Sequence, residues 1–394
     1  MILVKRDGKR VYVDDNLKEL GNAPVEVKPL RHPEPLLLRS VDQAKQCQSL
    51  GIMLDKTDCG AEVYSCSKHG TCSLQKRACG TAMAFCLQCT NYQTKHLGSN
   101  RLLKASSTAS KIIRIDETNF LPEYFGKRLN GSLMPYQAGY LFAWRNDWGN
   151  ASIWAVKLDK EMKPIGMAKR LGLNHRYAMS GREDPRVFMH KGKPHVWFTG
   201  WMGMRTAEWC KANVLFARLS DDLETEDIFF PDIPNRLSWE KNHAYFEYNN
   251  YTHCVYSISP HVVHQVYCNR VVKTYKTDSK IIWRYGHMRG GASPVLHQGN
   301  YWHFFHGMSE VNGSRLYSIG IAVFEGKPPF KIIKVTHEPL DIAVPDNSGF
   351  GCIFPCGAFH EGKHWVISCG VQDKWIEFRY YSDQQVDAVL DTLV

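Results

Sequence analysis

The sequence has no long apolar run. None of the apolar segments in its 394 residues approaches the roughly 18 consecutive residues that a bilayer-spanning helix needs. The first segment, Met1 to Gly8, becomes charged too early for a secretory signal peptide. We therefore expect a soluble, cytoplasmic protein without a membrane partner.

Dense runs of lysine and arginine are also missing, although the net charge is +10. A basic tail or arm for nucleic acid is therefore not evident, and we do not expect a nucleic-acid partner. A cationic cavity for phosphate or a phosphorylated sugar is equally consistent with the charge. Nucleic-acid binding stays as an alternative that would require a steep salt dependence.

The 13 cysteines do not form an evident disulfide framework, because their number is odd and an export signal is lacking. Seven of them lie between Cys47 and Cys89, where Cys86 and Cys89 form a C-x-x-C pair. Thiolates at this density predict a structural Zn²⁺ site, with an iron–sulfur cluster as the alternative. The preferred ligands are Cys66, Cys72, Cys86 and Cys89, with Cys59 and His69 as substitutes. The competing interpretation is that these are reduced, partly buried cysteines without a metal.

Composition changes along the chain and predicts five segments. They are an N-terminal strand and extended arm (1–45), a Cys-rich metal-binding module (46–95), a polar linker (96–118), a β domain (119–383) and a C-terminal helix (384–394). Helical periodicity is nearly absent before the last segment, so the fold class is all-β.

A turn followed by an aromatic strand recurs five times after residue 120. The copies begin at Gly139, Gly192, Asn250, Gly299 and Gly362, at intervals of 49 to 63 residues. Repeated hairpins at such a period are typical of a β-propeller, in which one blade cannot bury both faces of its sheet alone. We therefore predict a five-bladed β-propeller, with a β-sandwich as the alternative.

The innermost strands of a propeller line one funnel, so the residues just before each repeated hairpin should meet there. The most charged of these segments is Gly181-Arg182-Glu183-Asp184-Pro185-Arg186. Ionisable groups are rarely buried together unless they pair or perform chemistry. Acids beside arginine, lysine and histidine, with tryptophans nearby, are suited to binding a sugar together with an anion.

Several short motifs, in this order, resemble the five-bladed propellers of glycoside hydrolase family 130, the β-mannoside phosphorylases and mannosidases. The motifs are Asn130-x-Ser132, Glu183-Asp184-Pro185-Arg186, Lys241-Asn242, Gly290-Gly291-x-x-Pro294, Phe305-His306-Gly307, Phe354-Pro355-x-Gly357-Ala358 and Gly370-x-x-Asp373. The resemblance covers residues 120 to 382 and leaves the N-terminal part of the chain unaccounted for.

The resemblance implies catalytic and binding roles for particular residues. Asp184 matches the catalytic acid and is flanked by Glu183. The sugar-contacting positions of the family are matched by Asn130, Ser132 and Asp373, and Lys241, Asn242, Arg289 and His306 fall near its phosphate-binding positions. The propeller arrangement adds Arg145 and Arg186 as substrate-binding candidates at the same funnel, with orientation of Asp184 as the favoured role of Arg186. In such an inverting reaction the acid protonates the leaving oxygen while phosphate attacks the opposite face of the sugar. No cofactor is needed for this catalysis.

The sequence departs from the phosphorylase pattern at two places. Lys241-Asn242 stands where the pattern has Arg-Asn, and Ser259-Pro260 where it has Arg-Pro, which weakens bidentate phosphate binding. Hydrolysis, with Glu240 or Glu310 as base, therefore stays open. So do transfer from a nucleotide-sugar or sugar-phosphate donor and a non-catalytic sugar-binding propeller.

Overall fold

The computed structural model divides the chain into two compact units, Met1–Asn91 and Tyr92–Val394. Of residues 1–106 the structure describes only the backbone strands given below. Beyond them it describes residues 107–115, 128–146, 151–203, 210–277, 281–311, 314–343, 345 and 350–392, without the side chains at 310, 311, 314 and 392. Within these ranges no helix has the length and apolar character that crossing a membrane requires.

The first unit contains two antiparallel sheets. Its strands are β1 (Ile2–Arg6), β2 (Lys9–Val13), β3 (Leu38–Ser40), β4 (Leu50–Lys56), β5 (Glu62–Cys66), β6 (Gly70–Lys76) and β7 (Ala82–Phe85). β1 pairs with β2, and the other five form a sheet in the order β3-β7-β6-β5-β4. The side chains of Cys66, Cys72, Cys86 and Cys89 lie outside the described residues, so the zinc site stays a prediction.

The second unit begins with β8 (Lys111–Arg114) and continues as short antiparallel strands. They are β9 (Arg128–Tyr136), β10 (Gly139–Asn146), β11 (Ser152–Leu158), β12 (Pro164–Arg170), β13 (Gly181–His190), β14 (Lys193–Met202), β15 (Lys211–Leu219), β16 (Thr225–Phe229), β17 (Ala244–Tyr248), β18 (Tyr251–Ser257), β19 (His261–Tyr267), β20 (Arg270–Thr277), β21 (His287–Arg289), β22 (Val295–His297), β23 (Asn300–Val311), β24 (Ser314–Glu325), β25 (Ile332–Thr336), β26 (Asp341–Ile342), β27 (Phe350–Gly351), β28 (Ile353–Glu361), β29 (His364–Val371), β30 (Trp375–Ser382) and β31 (Leu390–Thr392). A 3-10 turn covers Arg176–Ala178, and a helix, α1, covers Asp383–Asp387.

These strands form five sheets in the described part of the unit. Sheet 1 is β9–β12, sheet 2 is β13–β16 and sheet 3 is β17–β20, each a four-stranded meander. Sheet 4 has eight strands, β21–β27 with β31, and sheet 5 has the order β28-β29-β30-β8. The all-β, propeller-like arrangement is therefore confirmed. A count of five blades stays a prediction, because it depends on taking the eight-stranded sheet 4 as one blade.

All five segments predicted as aromatic strands are strands, and each is preceded by a hairpin turn. Three of these turns contain two successive residues with positive φ, at Lys191-Gly192, Asn249-Asn250 and Gln298-Gly299. A two-residue hairpin turn whose twist matches that of the flanking strands requires positive φ at both of its central residues. In these three sheets the turn residues therefore fix where the chain reverses into the aromatic strand.

The apolar core lies between neighbouring sheets rather than inside one of them. One cluster joins sheets 1 and 2, another joins sheets 2, 3 and 4, a third joins sheets 4 and 5, and a fourth joins sheet 5 back to sheet 1. First strands such as β9 and β13 are mostly buried, whereas the fourth strands β12 and β20 are mostly exposed. This gradient places the first strands at the centre.

The structure corrects the predicted linker and C-terminal helix. Within 96–118, strand β8 pairs with β30 and completes sheet 5, so the first described strand of the unit joins strands from near its end. The helix predicted for 384–394 is limited to α1, and β31 pairs with β25 instead. A five-residue helix has little stability of its own, and the edge of sheet 4 offers backbone partners to the residues that follow it.

Candidate active site

Three central strands are interrupted by a β-bulge at corresponding places. The pairing shifts at residues 130–131 in β9, at 184–185 in β13 and at 356 in β28. Asn130 and Asp184 have φ values of 50° and 53°, in the left-handed region that is uncommon for residues other than glycine. A bulge turns a side chain out of the regular alternation of the strand. The two bulges therefore set the directions in which the Asn130 and Asp184 side chains leave their strands.

Asp184 is 9% exposed and lies among groups from neighbouring sheets. Asn130 of β9 donates a hydrogen bond from Nδ2 to Asp184 Oδ1 at 2.5 Å. Nη1 of Arg145, from β10, lies 3.8 Å from the same oxygen. A Cβ on Gly370 would lie 1.9 Å from Asn130 Oδ1, so only glycine leaves room for this amide. The Asp184 carboxylate is thus held by two side chains of sheet 1, and Gly370 of sheet 5 packs against the Asn130 amide.

The neighbouring acid, Glu183, is also buried and forms two ion pairs. Its Oε1 lies 3.4 Å from Arg145 Nη2, and its Oε2 lies 3.5 Å from Lys241 Nζ. Arg145 therefore bridges the two acids of β13. Lys241, just before β17, brings in a charge from sheet 3 and lies over the Trp201 ring at 4.4 Å. Three sheets contribute to this cluster.

Opposing effects act on the pKa of Asp184. Burial alone would raise it, but the charges of Lys241, Arg186 and Arg145 and the hydrogen bond from Asn130 bring it below its usual value. The carboxylate is therefore ionised at neutral pH in the ligand-free protein.

Arg186 connects this cluster to sheets 4 and 5. The side chain is completely buried, and its Nε donates a hydrogen bond to the Gly291 carbonyl at 3.1 Å. The guanidinium lies 4.4 Å from the centre of the Phe354 ring and 5.1 Å from that of Trp197. Its complete burial excludes a large sugar-contact surface, so Arg186 orients the site from behind.

His306 and Arg289 lie on paired strands of sheet 4, where they are partners in register. His306 is buried between Tyr317 and Phe354. Burial, followed by the charges of Arg289 and Arg186, holds the pKa of His306 well below its usual range, so the imidazole is neutral. Among the described residues no carboxylate forms an ion pair with Arg289, which leaves its charge available to an anion.

Two further predicted residues lie at the edges of this region. Asn242 has a φ of 62°, and its carbonyl oxygen would be 2.0 Å from a Cβ on Gly290, so sheets 3 and 4 meet closely here. Asp373 is exposed in the turn between β29 and β30. After burial, the charges of Asp373 and then of Asp184 contribute to the raised pKa of the Cys352 thiol, so both carboxylates act on one thiol.

Ser132 and Glu240 bond to groups of the protein itself, where a sugar and a water molecule were the expected partners. Ser132 is completely buried, and its hydroxyl accepts the Val187 backbone N–H at 3.0 Å, so it joins β9 to β13 and offers no surface to a sugar. Glu240 accepts hydrogen bonds from the Leu237 N–H, the Tyr256 hydroxyl and His243. These partners keep Glu240 within sheet 3, which does not fit a water-activating base. The side chain of Glu310 lies outside the described residues.

Sequence reasoning missed the contribution of Trp201 and Gly370 to the site. The sequence gives Trp201 no role of its own, yet its face supports the Lys241 ammonium. Gly370 was noted only as part of a motif, although its missing side chain leaves space for Asn130. Neither role has a signal in the sequence, because each depends on a residue from another sheet.

No protein-family model and no curated protein sequence matches the chain. Solved structures do match. The β-1,2-mannobiose phosphorylase from Listeria innocua is 17% identical, with a TM-score of 0.53, and the match covers 71% of this chain and 98% of that one. MPT-4, a mannose phosphorylase from Leishmania mexicana in complex with phosphate, is 12% identical over 73% and 92% of the two chains, with a TM-score of 0.50.

A third match is a structure of the GH130 family of mannoside phosphorylases, reported to contain glycoside hydrolases that target β-1,2 mannosidic linkages in Candida mannan. It is 11% identical, with a TM-score of 0.52, over 70% of this chain and 95% of that one. At these identities the similarity establishes the fold. The propeller-like arrangement of this chain is the one found in these mannoside-active proteins.

Proposed function

We propose that the protein is a carbohydrate-active enzyme that cleaves or forms a glycosidic bond, with a β-mannoside as the favoured substrate and Asp184 as the general acid or base. The observation that carries the proposal is the burial of Glu183 and Asp184 together with Arg145 and Lys241 from two neighbouring sheets. Such a group is costly to desolvate unless it performs chemistry or binds a polar ligand.

The charge balance of the site favours a reaction that involves an anion. Four cationic side chains, Arg145, Arg186, Lys241 and Arg289, accompany three carboxylates, Glu183, Asp184 and Asp373. Phosphate as nucleophile, or the phosphate of a sugar donor as leaving group, would compensate the remaining positive charge. In this proposal Lys241 and Arg289 supply the attraction, Asn242 lies beside them, and the neutral His306 can donate or accept a hydrogen bond.

An anion would also prepare Asp184 to act as an acid. In the free protein the cations keep this carboxylate ionised against the effect of burial. A bound phosphate would offset part of the positive field while the side chain stays buried, so the pKa of Asp184 would rise. The protonated carboxyl could then donate to the leaving oxygen, as inverting glycoside cleavage requires.

Hydrolysis is the weaker alternative. It needs a second carboxylate about 6.5–9.5 Å from the acid to activate water. Glu183 is engaged by two cations, and Glu240 by three hydrogen-bond donors of sheet 3. Ser259, which stands where the phosphorylases carry arginine, exchanges hydrogen bonds with the backbone of Ile281. Because this serine does not supply the phosphate contact of an arginine, transfer from a phosphorylated sugar donor is the second candidate after phosphorolysis.

A product screen tests the proposal. Manno-oligosaccharides would be incubated with and without phosphate, and mannose 1-phosphate or GDP-mannose with sugar acceptors. Phosphate-dependent release of a sugar 1-phosphate identifies phosphorolysis, whereas product formed only from a donor identifies transfer. Free sugar released equally without phosphate would contradict the role of the anion.

The variant Asp184→Asn tests the catalytic carboxylate. We expect turnover to fall by about 10²- to 10⁴-fold, because proton transfer is lost while the side chain keeps its shape. Sugar binding measured by calorimetry should persist. Asp222→Asn, at an exposed turn, is the matched control. Binding without turnover by the unaltered protein would indicate a sugar-binding propeller instead.

A further inference from the structure

An exposed tryptophan lies beside the proposed active site. Trp239 is 49% exposed, and its ring packs edge-to-face against the buried Trp201, with ring centres 5.1 Å apart and planes at 80°. The backbone on both sides of Trp239 is bonded to Ala212, which accepts from Glu240 N at 2.9 Å and donates to the Ser238 carbonyl at 3.1 Å. The indole is therefore held in place while much of its surface faces solvent.

The same tryptophan pair is continuous with the charged cluster. Trp201 carries the Lys241 ammonium at 4.4 Å from its ring centre, and Lys241 pairs with Glu183, the neighbour of Asp184. Since Trp239 and Lys241 are two residues apart and share Trp201 as a contact, the exposed indole lies at the edge of the site. An apolar ring here adjoins polar groups that can bind hydroxyls.

Packing alone does not account for Trp239. Trp201 already forms a buried cluster with Cys210 and Ala212, and this cluster leaves Trp239 half-exposed. A rigid aromatic face next to convergent polar groups is typical of small-molecule binding sites. The C–H face of a pyranose matches such a ring, while its hydroxyls require the polar neighbours.

We propose that Trp239 is a stacking platform for a second sugar unit, so that the site binds an oligosaccharide in preference to a monosaccharide. This inference rests on the proposed function and names its substrate class more closely. Covering about 60 Å² of the indole corresponds to about a tenfold change in Kd. We therefore expect the oligosaccharide preference of the unaltered protein to be about tenfold and to depend on this ring.

The experiment compares binding of mannose, mannobioses and mannotriose by calorimetry, without phosphate or donor. Trp239→Ala should lose the roughly tenfold preference for the longer sugars and leave mannose binding unchanged. Trp239→Phe should keep most of the preference, because it retains an aromatic face. Leu237→Ala is the matched control, since Leu237 is 67% exposed on the same segment.

Several results would overturn the platform. They are equal loss of mannose and mannobiose binding in Trp239→Ala, the same loss in Leu237→Ala, and no preference for longer sugars in the unaltered protein. In a separate titration with GDP, weakened GDP binding by Trp239→Ala together with unchanged sugar binding would assign the ring to a nucleotide instead. Turnover that depends on Asp184 without a Trp239-dependent preference would leave the proposed function intact and remove only the platform. A Trp239-dependent preference without turnover that depends on Asp184 would support the platform and contradict the proposed catalysis.

Discussion

Replacement of Arg186 by methionine tests whether the centre of the unit is organised as described. Methionine fills much of the same space but removes the charge and every donor. The Gly291 carbonyl would lose its partner at 3.1 Å, and the rings of Phe354 and Trp197 would lose the guanidinium between them. Asp184 would keep its buried position with one fewer compensating cation.

The expected cost is large because the side chain is completely buried. A buried carbonyl left without its hydrogen-bond donor costs about 1–3 kcal/mol. At about 2 °C per kcal/mol for a domain of this size, the melting temperature should fall by roughly 2–6 °C. The melting temperature of Arg186→Lys should lie between those of the unaltered protein and Arg186→Met, since lysine restores the charge but not the planar contact with the rings.

Thermal unfolding followed by circular dichroism gives the measurement, and a double-mutant cycle with Asp184→Asn measures the electrostatic coupling between the two side chains. We expect the two substitutions to be non-additive by about 1 kcal/mol or more, because Asp184→Asn removes the charge that Arg186 compensates. In Arg186→Met the pKa of Asp184 should rise, which would move the alkaline side of the activity profile to higher pH, because the protonated carboxyl is the acid. An unchanged melting temperature, or strict additivity, would refute the central placement of Arg186.

Two further variants test the surroundings of the site. Gly370→Ala places a Cβ 1.9 Å from the amide oxygen of Asn130. Turnover should therefore fall about tenfold or more, as expected for loss of a charged hydrogen bond, whereas Gly172→Ala, whose nearest neighbour would be 3.9 Å away, should not change it. For Glu240, burial alone would raise the pKa, but its hydrogen-bond donors lower it, so the ionised form stabilises the protein above the unfolded pKa of about 4.3. Glu240→Gln should lower the free energy of unfolding at pH 7, and the difference from the unaltered protein should shrink as the pH falls from about 4.3 through the lowered pKa of the folded state. Loss of turnover without loss of stability in this variant would instead support a water-activating role.

The hairpins could be predicted from the sequence because their determinants are local. Residues such as Gly192 and Asn250 accept the positive φ that the turns require, and the aromatic segments after them fill the space between sheets. The outer strands β12 and β20 and the closing strand β8 have weaker signals in the sequence, since they are more exposed than the inner strands. Closure of sheet 5 by β8 depends on distant parts of the chain meeting, which no local pattern encodes.

The proposed catalytic carboxylate, Asp184, could be located from its own motif, but its protonation state could not be predicted from that motif. Gly181-Arg182-Glu183-Asp184-Pro185-Arg186 contains as many acids as bases and predicts no direction for the pKa of Asp184. The largest effect that lowers this pKa comes from Lys241, in another sheet, and Arg145 contributes from a third. A bound anion would weaken these effects and leave burial in place. The assembled site therefore favours an order in which the anion binds first and Asp184 takes up its proton afterwards, and this order follows only once the three sheets are brought together.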